Sequence, residues 1–142
     1  MDKEGLAALA TFKLALESRL SSFFKARGFI HIKSTIFDNG NIVEVEYCCD
    51  EIMLKFYRSL RDGEINCMAR RSFKDSDIDQ GQAWLYINSL LIDQNDYSID
   101  ELLTRMPYKI VGDDEQISAI ANLLEDNFHT LQHKIARIED HT

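Results

Sequence analysis

The stretch Asp38-Asn39-Gly40-Asn41-Ile42-Val43-Glu44-Val45-Glu46-Tyr47 decides how this chain is read. Asn39-Gly40 tolerates the positive φ that both central positions of a type I′ turn demand, and the residues after it alternate apolar and polar with a period of two. A hairpin is expected there. A second strong signal, Asp62-Gly63, follows, and Asp50-Glu51 lies midway between the two. Placing these three pairs at the tips of a meander gives four antiparallel strands with one consistent alternation.

One face of that meander carries the rows Ile30, Cys49, Ile52, Phe73; Ile32, Tyr47, Leu54, Arg71; Ser34, Val45, Phe56, Ala69; and Ile36, Val43, Arg58, Cys67. It is largely apolar. The other face sets Lys33, Glu46, Lys55 and Arg70 in one row, so Glu46 stands between cations, an arrangement worth roughly 0.2–1 kcal/mol per cross-strand pair. A slip of one residue would exchange the faces, which pins the parity of the register. Arg58 and Arg71 fall on the apolar rows, and each then needs a carboxylate or an exit at the rim.

Helices flank the meander. Leu9, Phe12, Leu16, Leu20 and Phe23 recur at three and four between Leu6 and Arg27, and Gly28 is a suitable stop. Trp84, Ile87, Leu90 and Leu91 predict a helix over Ala83 to Asp93. Ser98-Ile99-Asp100-Glu101 has the form of a capping box, and Met106-Pro107 ends the helix it opens. The last helix runs from Asp113 or Asp114 to about Ile138, with Ile117, Ile120, Leu124, Phe128, Leu131, Ile135 and Ile138 on its stripe. The expected fold class is α+β, a four-stranded antiparallel meander covered in two layers by the N- and C-terminal helices.

A chain of 142 residues with 45% hydrophobic content, one Pro and six Gly has no room for a flexible linker, so 1–142 reads as one domain. Neither a secretory signal nor an apolar membrane span is read in it, which suits a cytoplasmic protein. Cys48, Cys49 and Cys67 are odd in number and lack CxxC spacing, so reduced thiols are expected.

Charge is divided unevenly. Residues 1–74 hold 12 Lys/Arg against 10 Asp/Glu, whereas residues 75–142 hold 4 against 14, so the formal charge of −8 belongs to the second part. Turn and capping chemistry explains some of these carboxylates. The near absence of compensating bases from Asp75 to Asp126 costs self-repulsion and points to use, on a surface that favours cationic partners and repels phosphate backbones. Asp75, Asp77, Asp79, Asp93, Asp96, Asp100, Asp113 and Asp114 are the candidate partner-binding residues. Nucleic acid and membrane are not expected partners.

Catalytic chemistry finds little support. Asp75-Ser76-Asp77-Ile78-Asp79 begins like a calcium loop, but the required glycine falls on Gln80 and the bidentate glutamate on Tyr86. Asp126, His129 and His133 share a helix flank and could form a two-histidine, one-carboxylate metal site, yet Thr130 stands where an HExxH helix needs its glutamate. The alternative for the pair is a polar flank that titrates near neutral pH. No GxSxG, GxGxxG or Walker-type loop occurs, and Gly112-Asp113-Asp114 would oppose phosphate. Neither a cofactor nor a metal is expected, and the chain is read as a non-enzyme.

A small acidic α+β domain with a helix ending at Gly28-Phe29, a meander containing Val43-Glu44-Val45-Glu46-Tyr47 and Leu54-Lys55-Phe56, and C-terminal helices resembles bacterial immunity proteins of polymorphic and contact-dependent toxin systems. The resemblance is architectural and transfers no residue role. It implies a protein that binds one basic toxin domain and neutralises it, as monomer or homodimer. A type III secretion chaperone is the alternative, although that class places a helix between its third and fourth strands. A metal-dependent enzyme using Asp126, His129 and His133 is the third reading.

Overall fold

The computed structural model describes residues 3–72, 83–91 and 112–137. Helix α1 spans Lys3–Arg27 and buries Phe12, Leu16, Leu20 and Phe23 of the predicted stripe, with Phe24 beside them, while Leu9 is half-buried. Its end is a Schellman motif. Gly28 takes φ +76, Phe29 N–H donates to Phe24 O at 2.9 Å and Gly28 N–H to Lys25 O at 3.4 Å. The Phe24 and Phe29 rings then meet at 5.9 Å, the apolar contact that accompanies such a cap.

The chain next forms β1 (Ile30–Phe37), β2 (Ile42–Cys48), β3 (Ile52–Ser59) and β4 (Glu64–Arg71), and after residues 73–82 a short β5 (Leu85–Tyr86). All pairings are antiparallel, in the order β1-β2-β3-β4-β5. Helix α2 covers Ile87–Leu91 and α3 covers Asp113–Ala136. The first tip keeps the expected register, but Asp38 (φ 50°), Asn39 (55°) and Gly40 (96°) are all left-handed and Asn41 is right-handed helical, so the loop is Asp38 to Asn41, closed by a bond of 3.0 Å from Asn41 N–H to Asp38 O, rather than a two-residue turn. The second tip also holds, because Cys49 N–H donates to Ile52 O around Asp50-Glu51.

Four further details depart from the sequence reading. Leu85 and Tyr86 pair with Ala69 and Met68, so the sheet has five strands and the helix expected from Ala83 starts only at Ile87. Trp84 explains the difference, since it lies flat against Lys55 and Arg70, at 4.3 and 4.5 Å, and holds this segment along β4. At the third tip Ser59 pairs with Glu64, so the loop is Leu60 to Gly63 and every β3–β4 partner moves by two residues. Of Asp62-Gly63 only Gly63 has positive φ, which rules out a type I′ turn, and Ser59 Oγ accepts from Asp62 N–H at 3.3 Å to close the longer loop.

An even shift preserves the faces. Met68, not Arg70, therefore completes the Lys33, Glu46, Lys55 row, and Arg70 pairs with Met53. The fourth departure is a bulge between His31 and Lys33, which sets His31 rather than Ile32 opposite Tyr47. His31 Nε2 lies 2.8 Å from Ser34 Oγ across this irregularity, and its ring meets the Tyr47 ring edge-on at 5.6 Å.

Helices α1 and α3 cover the face bearing Val43, Val45, Tyr47, Leu54, Phe56, Ile65, Cys67 and Ala69, all buried. Ile117, Ile120, Leu124, Phe128, Leu131 and Ile135 of α3 enter the same core. The two arginines on this face resolve differently. Arg58 Nη2 meets Asp113 Oδ2 at 2.8 Å in the first turn of α3, and Arg71 Nη2 donates to Ala136 O in its last turn at 3.5 Å. Each charge thus faces the helix end whose partial charge or acid suits it. Of the two options open to Arg58, it takes the carboxylate rather than the exit at the rim.

Candidate protein-binding surface

Helices α1 and α3 lie side by side and run in the same direction, with Arg19 Nη2 donating to Asn122 Oδ1 at 2.7 Å and to Glu125 Oε1 at 3.0 Å. Further along, Phe23 packs edge-on against Phe128 at 5.3 Å and the Arg27 guanidinium lies over the same ring. Toward their N-terminal ends the helices part into a groove of about 510 Å³ lined by Leu14, Ala15, Ser18, Arg19, Asp114 and Ile117, among others. Leu14 is 69% exposed, an apolar side chain on the polar side of its helix. Its offset of two from Phe12 and Leu16 is the one sequence signal that could have marked this place.

Helix α3 carries Asp113, Asp114 and Glu115 in its first turn and Glu125 and Asp126 just past its middle, and all five are exposed. Asp113 is occupied by Arg58 and Glu125 by Arg19. Asp114, Glu115 and Asp126 form no ion pair among the described residues. Of the candidate partner-binding residues, then, Asp113 supports the fold from within and Asp114 lines the groove. Asp75, Asp77, Asp79, Asp93, Asp96 and Asp100 lie outside the described residues, as do the calcium-like loop and the capping-box helix.

The proposed metal ligands do not assemble. Asp126, His129 and His133 are exposed, and Asn127 between the first two leaves helical geometry (φ −128, ψ 18) with its Nδ2 donating to Leu123 O. Among the described residues no three His, Cys, Asp or Glu are grouped to hold a metal ion. The cysteines are free. Burial pushes the Cys67 thiol well up, and burial, then Cys49 and Asp50, push the Cys48 thiol up, all of which disfavour a thiolate. No described helix is long and apolar enough to cross a membrane.

The opposite face of the sheet, where Glu46, Met53, Asn66 and Arg70 are buried, is charge-balanced, with Lys55 Nζ at 3.8 Å from Glu44 Oε1 and the Trp84 ring against Lys55 and Arg70. Near its β5 margin Tyr57 donates to Glu64 and lies 3.3 Å from the Tyr86 hydroxyl. Burial first, and then the Glu64 carboxylate, push the Tyr57 phenol far up. No family model, no curated protein and no solved structure matches the chain.

Proposed function

We propose that the chain is a non-catalytic protein-binding domain, an immunity protein that neutralises a cognate basic toxin domain in the bacterial cytoplasm through an acidic surface. The observation that supports this most directly is the set Asp114, Glu115 and Asp126, exposed and without ion pairs among the described residues, on the helix that walls the Leu14 and Ile117 groove. An apolar anchor inside a charged rim is the arrangement in which the anchor holds the partner and the rim speeds encounter and rejects the wrong charge. The groove walls are helical, so beyond the first turn of α3 their backbone groups are already bonded, and recognition there rests on side chains.

The test is co-expression with a toxin domain encoded next to this chain. Rescue of growth is expected, with association that slows steeply between about 50 and 500 mM salt. Asp114→Asn, Glu115→Gln and Asp126→Asn together should slow association by about tenfold with little change in dissociation. Growth arrest despite the chain, or binding insensitive to both salt and the triple change, refutes the acidic-surface reading. A neighbouring effector gene in place of a toxin would turn the assignment to a secretion chaperone.

A further inference from the structure

The groove between α1 and α3 also specifies the shape of what enters it, an inference that rests on reading the chain as the binder of one basic protein. Its walls are two helices running side by side in the same direction, as the contacts of Arg19 with Asn122 and Glu125 and of Phe23 with Phe128 fix. Ala15, Ser18 and Ser118 line it with small side chains, and Leu14 stands in it as an exposed apolar one. An extended segment laid there would lose water from its amides and carbonyls without finding partners, because beyond the first turn of α3 the walls offer no open backbone groups. A helix brings its backbone already bonded, and the small side chains let its axis come close.

Charge then selects which helix. Asp114 lines the groove, Glu115 follows about 100° further around α3, and Asp126 comes about three turns, or roughly 16 Å, beyond Glu115 on nearly the same line. None of the three is in an ion pair among the described residues, and Arg19, which also lines the groove, is already held by Glu125 and Asn122. An open row of carboxylates thus borders an apolar floor. The groove of about 640 Å³ beside β1, lined by Leu6, Leu9, Ser34 and Ile36, differs: its one acid, Asp38, is engaged by Asn41, so no charge pattern selects an occupant there.

We propose that the occupant of the α1–α3 groove is a basic amphipathic helix of the partner, running antiparallel to both walls. Its apolar residues, spaced by three and four, pack on Leu14, Ala15 and Ile117, while Lys or Arg on its flank meets Asp114, Glu115 and Asp126. Direction follows from the dipoles. The two walls present their N-terminal ends at the same end of the groove, together with Asp114 and Glu115. The partner's C-terminal end, with its negative partial charge and a last turn that favours cations, belongs there.

Two labelled synthetic peptides of identical leucine and lysine content, one with leucine at helical spacing and one strictly alternating, test this against the full chain by fluorescence anisotropy. The helical peptide should bind with a Kd of about 50 μM and gain helical circular dichroism, and the alternating one should bind at least about tenfold more weakly. Leu14→Gln removes the anchor and Ser18→Trp fills the groove; both positions are exposed, so the chain keeps its fold while each change weakens the helical peptide by about tenfold. A nitroxide at the peptide's C-terminus should broaden the amide resonances of Asp114 and Glu115 before those of Glu125 and Asp126. Equal binding of the two peptides, or binding indifferent to both variants, overturns the helix, and the reverse order of broadening overturns its direction. Undiminished rescue of growth by the Ser18→Trp chain would overturn the groove as the toxin's site and leave neutralisation standing. Peptide binding by a chain that rescues nothing would support the helix site and overturn the toxin as its source.

Discussion

The two long strands nearest the margins of this sheet are treated in opposite ways. On β4, the amides of Ile65, Cys67 and Ala69 point away from β3, and each meets a local solution. Gln116 Oε1 accepts from Ile65 N–H at 2.8 Å, Asn66 Oδ1 accepts from Cys67 N–H at 2.8 Å, and Ala69 pairs with Leu85 of β5. On β1, a bulge and Lys33 are the defences of the edge among the described residues, and Ile30, Ile32 and Phe37 stay exposed. The difference teaches that the fold satisfies with its own side chains the edge it buries under α3, and leaves available the one it keeps in solvent.

The largest expected effect therefore lies at Gln116, whose side chain is fully buried and whose Nε2 also donates to Gly63 O at 3.0 Å. Gln116→Leu keeps the volume but strands the buried Ile65 N–H and removes the donor to Gly63 O, which should cost about 2 kcal/mol. Urea unfolding with an unchanged slope is the measurement. The matching change on the open edge, Ser34→Ala, should cost under about 0.5 kcal/mol per monomer, because water serves its neighbours there. Equal losses at the two positions would erase the contrast.

Gly40 tests what holds α1 over the β1 side. A Cβ on Gly40 would stand 2.6 Å from Gly5 Cα, a backbone atom that cannot swing aside, and Gly40 already sits at φ +96. Gly40→Ala should cost about 2 kcal/mol, combining the left-handed penalty with displacement of the α1 N-terminus. The thermal midpoint reads it. A loss confined to the left-handed penalty would show that α1 gives way freely and that the groove beside β1 is soft.

How much of this was legible follows from the range of each interaction. The helical stripes, the Gly28 stop, the Asn39-Gly40 turn and the parity of the faces come from neighbours in sequence, and they were readable. The two-residue shift between β3 and β4 was not, because Asp62-Gly63 serves a two-residue and a four-residue loop equally well, and even shifts leave the pattern of apolar residues unchanged. Trp84 misled for a related reason. Its spacing to Ile87 and Leu91 fits a helix, while its partners Lys55 and Arg70 lie on other strands. Gln116, alone among polar residues on an apolar stripe, reads as noise until Ile65 and Gly63 are placed beside it. Of the candidate site, the acidity of α3 was visible as composition, but which acids are occupied depended on Arg58 and Arg19 arriving from elsewhere.

The smallest effect compares the sides by titration. Tyr47, on the β1 side, donates to Glu17 Oε2 of α1 at 2.9 Å, and Tyr57, on the β4 side, donates to Glu64. Burial and then the neighbouring carboxylate hold both phenols far above their usual range. A phenol whose folded pKa is raised keeps its proton where the unfolded chain, titrating near 10, has lost it, so its contribution is complete below that pH and declines above it. The native state then binds one more proton per tyrosine, and stability should fall by about 1.4 kcal/mol per pH unit for each, beginning near pH 10. Tyr47→Phe and Tyr57→Phe should each remove one such slope, read from urea midpoints between about pH 9 and 11. If only Tyr57→Phe flattens the profile, the β1 side admits water to Tyr47 and is looser than the closed side; if both do, the open edge is as rigid within as the edge that Gln116 closes.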